Sequence, residues 1–406
     1  MMPRGLHPLL LARITLILAL VSLMRSPALA NLFLALLLVL SLGSASIRQR
    51  LSRTWAQPMV RGAALLLLML AAGILYSASG WKEGLHQLWA WRSLVFMTIA
   101  VALFDDLRWR QIALRTFASV TAVGAAAVLL LSLQQTLASG QHAPVPVTLF
   151  RNYATQGMTF TAAIMACGCL WWVESGRWRH LWALCALVLL LAITISTQGR
   201  SGYLILLASG ATFVLGSLLQ KGLSPLRALA GALAMAGLGL ALIAASPVAS
   251  QRIEQALSEM RSYESQVQQG TSMGLRIYFW RDAVTLISER PVFGWGTGSY
   301  AEIQGHLVAG RSGAAAMPTG DPHNQYLKIA AENGLLGLGI FLAFLVSLLR
   351  QRSTRHYRLA GLAVLAGWCV TSLANSHFST FQEGHLLALW LGITLADESP
   401  APDNGA

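Results

Sequence analysis

Charged residues are scarce in this chain: they make up 11% of its 406 residues, against about 25% in soluble domains. Hydrophobic residues contribute 55%, and the mean hydropathy is +0.58. So few charges cannot cover the surface of a water-soluble fold of this size. The composition therefore excludes a soluble protein and predicts a membrane protein.

Cysteine and clustered carboxylates are also lacking. The four cysteines lie inside apolar stretches, which excludes a disulfide framework and a zinc site. Asp105 and Asp106 form an adjacent acidic pair in a connection predicted to be cytoplasmic, and Glu254, Asp282, Asp321, Glu332 and Glu383 are dispersed. Metal catalysis is disfavoured, and we expect no cofactor. A serine hydrolase is disfavoured too, because the G-x-S-x-G motif is absent.

The net charge of +13 could indicate nucleic-acid binding, but the Lys and Arg residues are scattered over short connections. We expect no nucleic acid. Apolar stretches near 20 residues, long enough to cross roughly 30 Å of hydrocarbon as helices, recur about twelve times. The predicted spans are 8–24, 28–44, 62–79, 88–104, 112–136, 155–173, 181–197, 202–219, 227–246, 330–349, 358–374 and 384–397.

The distribution of basic residues predicts the topology. If the N-terminus is cytoplasmic, fourteen Lys and Arg residues fall in short inner loops, and Arg25, Lys82, Arg151 and Arg200 remain in short outer ones. This asymmetry satisfies the positive-inside rule. Both termini are then cytoplasmic, and the one long connection is extracytoplasmic.

Three regions follow from these spans. Residues 1–246 hold nine transmembrane helices, 247–329 form a periplasmic loop, and 330–406 hold three more helices and a short cytoplasmic tail. In the loop, apolar spacing predicts amphipathic helices around 253–260 and over 274–289, the second with a stripe of Ile277, Trp280, Val284 and Ile287. Residues 309–320, rich in Gly and Ala, are either a lid or a plain linker.

Three polar motifs share the outer side in this topology. They are Gln198-Gly199-Arg200-Ser201-Gly202, Gly274-Leu275-Arg276, and Asp321-Pro322-His323-Asn324. Each has a structural alternative, since Arg200 could snorkel to lipid phosphates, Arg276 could lie on a solvated helix face, and His323 could be a turn residue. Arginine pairs bidentately with phosphate, and histidine accepts protons near neutral pH. Together they suit transfer from a diphosphate-linked donor.

The Gly-Arg-Ser-Gly turn, the Gly-x-Arg-x-x-x-Trp stretch and Pro-His-Asn-Gln-Tyr-Leu, followed by Ala-Glu-Asn-Gly-Leu-Leu-Gly, resemble the domain shared by O-antigen ligases and polymerases. The motifs cover about 190–345. One departure is Gly199, where the family often has serine, which puts the hydrogen bonding of that turn in doubt.

The resemblance implies a metal-independent, inverting glycosyltransferase of the membrane-embedded GT-C-like class in the inner membrane of a Gram-negative bacterium. It would join undecaprenyl-diphosphate-linked O-antigen to lipid A–core at the periplasmic face. His323 would match the catalytic base, and Arg200 and Arg276 the residues that hold the donor diphosphate. Arg151, Tyr278 and Asn324 are weaker candidates for substrate contacts, and Asn324 could also cap the following helix.

Three alternatives stay open. An O-antigen polymerase would use the same donor, and a protein oligosaccharyltransferase would use another acceptor. A lipid-linked glycan transporter would also be polytopic, but transporters commonly show internal repeats and mid-membrane charged sites, and neither is evident in this sequence.

Overall fold

A computed structural model of the chain describes residues 7–141, 143–248, 250–251, 254, 258 and 272–397. These residues form helices and irregular connections, with no β-strand among them. The prediction of a polytopic, all-α membrane protein is confirmed. The helix predicted around 253–260 falls largely outside the described residues.

The described helices, numbered in chain order, are α1 (Pro8–Ser22), α2 (Pro27–Gly43), α3 (Ala45–Thr54), α4 (Pro58–Ile74), α5 (Gly80–Ala90), α6 (Ser93–Leu103), α7 (Leu107–Ser139), α8 (Tyr153–Val173), α9 (Trp178–Ser196), α10 (Arg200–Gln220), α11 (Pro225–Ala245), α12 (Ser272–Glu289), α13 (Tyr300–Val308), α14 (Gln325–Arg350), α15 (Arg355–Thr371) and α16 (Phe381–Thr394).

Local sequence signals set many of the helix starts. Proline occupies the first turn of α1, α2, α4 and α11. The backbone N–H that proline lacks would have no hydrogen-bond partner within the helix at this position. Asp106, Asn152 and Asn324 accept hydrogen bonds from the first backbone amides of α7, α8 and α14. These side chains satisfy donors that a helix start otherwise leaves unpaired.

The helices agree with the predicted spans in position but not in number. Among the described residues, six are long and apolar enough to cross a membrane, namely α7 to α11 and α14, and the pair α2–α3, bent by 95°, could make a seventh. The predicted span 88–104 is wrong as a single helix. The chain breaks between Ala90 and Ser93, so α6 has only eleven residues, which reach about 16 Å.

The connections between helices gather at two ends of the bundle. At the first, which we call the basic end, Arg50 binds Asp105, Arg110 donates to Ser353, and Gln351 bonds to Gln57. Arg115 binds Glu174 there, 2.6 Å away. The connections involved are those that the sequence assigned to the inner side.

The remaining connections lie at the opposite end of the bundle, which we call the site end. Arg25 donates to the carbonyl of Leu149, Ala78 to that of Trp295, and Gln382 to that of Leu23. The grouping of connections therefore follows the alternation that the basic residues predict.

A small helical layer covers part of the site end. α12 and α13 pack on the first turns of α14 around Ala283, Leu286, Tyr300, Ile303 and Ala331. The helix predicted over 274–289 is thus confirmed.

The predicted apolar stripe of that helix is confirmed in part. Ile277, Trp280 and Ile287 are half-buried, and Ile287 packs against this cluster. Val284 is wrong as a stripe residue, because its side chain is 56% exposed. The buried face instead includes Asp282, which bonds to Gln304 and Arg311.

α14 bends at Gly334, whose φ of +67° and ψ of −173° are not helical. The backbone of residues 291–296 inserts beside the bend. The amide of Gly296 donates to the carbonyl of Glu332, and the amide of Leu335 donates to the carbonyl of Pro291. These bonds satisfy backbone groups that the bend frees, and they fix the first turns of α14 against the covering layer.

Gly334→Ala should therefore destabilise the protein. This backbone region is essentially restricted to glycine and costs other residues roughly 1–3 kcal/mol, and a Cβ would lie 2.1 Å from the carbonyl oxygen of Val292. The matched control is Gly339→Ala in the same helix, where a Cβ meets nothing within 4 Å. We expect a lower Tm in detergent for Gly334→Ala only; equal Tm values would contradict this account.

Candidate functional site

His323 lies in a strained turn at the start of α14. Its φ is +53°, and it is the one non-glycine residue with positive φ in the described part of the chain. Side chains other than glycine pay about 1–2 kcal/mol for this conformation, and such strain often marks functional sites. The Asp321 carboxylate holds the turn by accepting the backbone N–H of His323 at 2.7 Å.

The turn docks on the connection between α15 and α16. His323 Nδ1 lies 3.0 Å from Asn375 Oδ1, and Ser376 Oγ donates to Asp321 Oδ1 at 2.7 Å. An amide oxygen only accepts hydrogen bonds, so Nδ1 carries the ring proton of neutral His323. Nε2 is then the basic nitrogen.

Gln325, one residue into α14, closes the same interface. Its backbone amide donates to the carbonyl of Ser372 at 2.9 Å, and its side-chain oxygen accepts from the backbone amide of Phe378 at 3.2 Å. Asn324 caps α14, since its Oδ1 accepts the amides of Tyr326 and Leu327. The capping alternative for Asn324 is confirmed.

α12 brings Arg276 towards His323. Phe279, one turn after Arg276, lies with its ring centroid 6.0 Å from that of His323. The Tyr300 hydroxyl anchors this turn by donating to the carbonyl of Phe279 at 3.3 Å. Arg276 and His323 both lower the pKa of the buried His377, so the two predicted site residues lie in the same part of the site end.

His377 and Glu383 form the buried side of this cluster, each with 4% exposure. Burial lowers the pKa of His377 and outweighs the upward effects of Glu383 and Asp321; Arg276 and His323 lower it further. His377 Nε2 and Glu383 Oε2 have no hydrogen-bond partner within the described ranges. The other carboxylate oxygen, Glu383 Oε1, accepts the hydroxyl of Thr155.

Thr155 links this cluster to the turn that carries Arg200. It lies in the first turn of α8, and the neighbouring Tyr153 packs on Gly199, where a Cβ would come within 2.7 Å of the Tyr153 carbonyl oxygen. The close approach of α8 to α10 therefore requires glycine at position 199. This steric reason accounts for the departure from the family's serine.

Gln156 fixes the Arg200 turn further. Its Nε2 donates to Thr197 Oγ1 and to the carbonyl of Val147, while its Oε1 accepts the amide of Leu149. Gln156 is fully buried, so its three hydrogen bonds tie the residues before α8 and before α10 into one unit.

The structure thus groups the predicted site residues unequally. His323 and Arg276 lie in the part of the site end that contains His377, whereas the turn that carries Arg200 packs against the start of α8. Arg151 is exposed two residues before α8, and Tyr278 is half-buried on α12.

The segment 309–320 is bound to the covering layer. Arg311 Nη1 pairs with Asp282 Oδ1 at 2.7 Å, and the amide of Thr319 donates to Gln304 Oε1 at 2.8 Å. Its ends are therefore fixed on α12 and α13, beside the turn that contains His323.

No group of three or more His, Cys, Asp or Glu side chains that could hold a metal occurs within the described ranges. The site end instead carries an imidazole oriented by Asn375 and, one turn before the Phe279 ring that adjoins it, a guanidinium group on Arg276. Such a set can bind a phosphate group and remove a proton from a hydroxyl.

Asn375, His377 and Glu383 were missed as site residues. One signal could have found them: a short polar run, Asn375-Ser376-His377, follows a predicted span on the side of the membrane that also carries the three motifs. Glu383, eight residues after Asn375, was considered only as a metal ligand.

Comparison with known proteins adds an independent observation. Residues 185–342, which include Arg200, Arg276 and His323, match a family described as O-antigen ligase. Over these residues the chain is similar to the O-antigen ligase family. Its members are ligase- or polymerase-type enzymes of surface-glycan assembly. This supports the resemblance that the motifs indicated.

A protein of Haemophilus influenzae, described as uncharacterized, is 26% identical over 226 residues. The match covers 54% of this chain and 54% of the relative. The chain therefore matches about half the length of this relative.

The buried His377 should make stability depend on pH. In the unfolded chain a histidine binds a proton below about pH 6.5, whereas burial lowers the pKa of His377 in the folded protein. The unfolded state then binds more protons as the pH falls below that value, so stability decreases. When the pH is lowered from about 7.5 to about 5.5, the Tm of His377→Gln should fall by less than the Tm of the wild type.

The control is His306→Gln, because the His306 side chain is 79% exposed on α13. It should show the same pH dependence as the wild type. If the Tm of His377→Gln falls as much as that of the wild type, His377 is not the group that causes the pH dependence of stability.

Proposed function

We propose that this protein is an O-antigen ligase, which transfers O-antigen polysaccharide from undecaprenyl diphosphate to a sugar hydroxyl of lipid A–core. The observation that carries the proposal is the placement of His323 and Arg276 around His377, with His323 held in a strained turn by Asp321 and Asn375. The similarity of residues 185–342 to the O-antigen ligase family suggests the substrate class.

In the proposed reaction His323 is the general base. Its Nε2 takes the proton of the acceptor hydroxyl while the hydroxyl oxygen bonds to the anomeric carbon of the donor. The bond from that carbon to the diphosphate breaks, and its electron pair leaves with the diphosphate. Attack opposite the leaving group inverts the anomeric configuration. Asn375 positions His323 by keeping the ring proton on Nδ1.

Arg276 and Arg200 are proposed to hold the diphosphate and to stabilise the charge that it gains. Guanidinium groups stay ionised and pair bidentately with phosphate oxygens, so this role needs no metal. Arg151, Tyr278 and Asn324 are proposed as further substrate contacts. Asn324 would contact substrate through its side-chain nitrogen, because its side-chain oxygen already caps α14.

The proposed location is the inner membrane of a Gram-negative bacterium, with both termini in the cytoplasm and the site end in the periplasm. The contacts that gather the Arg-rich connections at the basic end support this orientation. Residues 1–246 and 330–406 then form the membrane region, and 247–329 the periplasmic part.

Replacing His323 by Ala should abolish the ligation step, because no base then removes the acceptor proton. In cells that produce only the variant, we expect lipopolysaccharide with bare core on a gel and accumulated long lipid-linked glycan. Protein levels measured by immunoblot should match the wild type.

The control variant is His306→Ala, which removes an exposed histidine of α13 and should leave a normal ladder. Core bearing a single repeat unit in the His323→Ala strain would indicate a polymerase instead of a ligase. An unchanged ladder would remove His323 from the mechanism.

A further inference from the structure

A cavity lies at the basic end, between the last turns of α10 and the first turns of α15. Its volume is about 460 Å³. Leu215 and Leu219 of α10 and Leu359 and Leu362 of α15 form its apolar wall. The part of α10 that lines the cavity runs from Thr212 to Gln220. It spans about 12 Å at 1.5 Å per residue, which is close to the thickness of one hydrocarbon leaflet.

Two arginines stand at the polar end of this cavity. Arg355 bonds to the carbonyl of Gln220, and Arg358 donates to the carbonyls of Gln351 and Leu349 at 3.0 and 2.6 Å. These partners are uncharged helix-end carbonyls, which offset a full positive charge only in part. Within the described ranges no carboxylate lies within 4 Å of either guanidinium group.

Two acidic side chains among the described residues of the basic end, Asp105 and Glu174, are already paired. Asp105 binds Arg13 and Arg50, and Glu174 binds Arg115 while accepting the indole N–H of Trp182. They are therefore not available to balance Arg355 and Arg358.

One further cationic group, Lys221, adjoins the cavity. Lys221 follows the lining residue Gln220, and its Nζ lies 4.7 Å from the ring centre of Trp172. The other neighbour of Trp172 is His356, whose ring stacks on it at 5.8 Å with an interplanar angle of 3°. Trp172 thus keeps Lys221 close to the start of α15, which increases the positive potential there.

We propose that this cavity binds an anionic phospholipid of the membrane. Its phosphate would lie against Arg355 and Arg358, and an acyl chain along Leu215, Leu219, Leu359 and Leu362. Charge complementarity selects an anionic headgroup, and the apolar wall selects a lipid over a free phosphate ion. The proposal is independent of the ligase reaction, which is assigned to the opposite end of the bundle.

The test uses full-length protein in detergent micelles, titrated with phosphatidylglycerol while Tm is measured. We expect Tm to rise, and the double variant Arg355→Gln/Arg358→Gln to need at least tenfold more lipid for the half-maximal rise. A hydrogen bond to a charged group contributes about 1.5–3 kcal/mol, and about 1.4 kcal/mol corresponds to tenfold in affinity.

The matched control is Arg350→Gln/Arg352→Gln, which removes the same charge from exposed positions at the same end. It should titrate like the wild type. Equal weakening in the control would mean nonspecific charge attraction and would overturn the site, as would an equal rise in Tm with phosphatidylcholine or with inorganic phosphate.

Native mass spectrometry provides a readout if the double variant does not fold. Wild-type protein should retain phosphatidylglycerol after detergent removal, and Arg355→Gln alone should retain less. If the wild type retains none, the proposal is wrong.

Discussion

The geometry of the candidate site depends on one interface, where the turn before α14 docks on the connection between α15 and α16. Asp321 accepts the Ser376 hydroxyl, His323 bonds to Asn375, and Gln325 bonds to the backbone of both ends of that connection. These bonds hold His323 in a conformation that its own backbone disfavours. Without the interface, neither the direction of Nε2 nor its distance from Arg276 would be fixed.

The interface in turn requires rigid supports on both sides. Gly334 lets α14 bend so that residues 291–296 can bond to its freed backbone groups. On the opposite side, the close contact of Gly157 with Gly202 brings α8 against α10, and Thr155 reaches Glu383. Small residues therefore determine how near the Arg200 turn can come to the buried histidine, as is common in membrane helix packing.

Much of the fold could be predicted because it follows from local patterns. Apolar runs located the helices, and proline and asparagine marked their starts. The break at Trp91–Arg92 and the burial of Asp282 on α12 could not be predicted. The burial of Asp282 depends on a partner distant in sequence, because Arg311 pairs with its carboxylate. Of the site, the sequence identified the groups suited to phosphate and proton transfer, but Asn375, His377 and Glu383 acquire their positions only by tertiary packing.

The central claim is that these side chains perform glycosyl transfer without a metal. The most direct measurement uses purified protein in lipid vesicles with undecaprenyl-diphosphate-linked glycan and lipid A–core in the presence of EDTA. The account predicts a covalent glycan–core product, with the anomeric configuration of the donor linkage inverted in NMR spectra. Transfer that stops with EDTA and returns with a divalent cation would contradict it, and so would movement of the donor across the membrane with no covalent product.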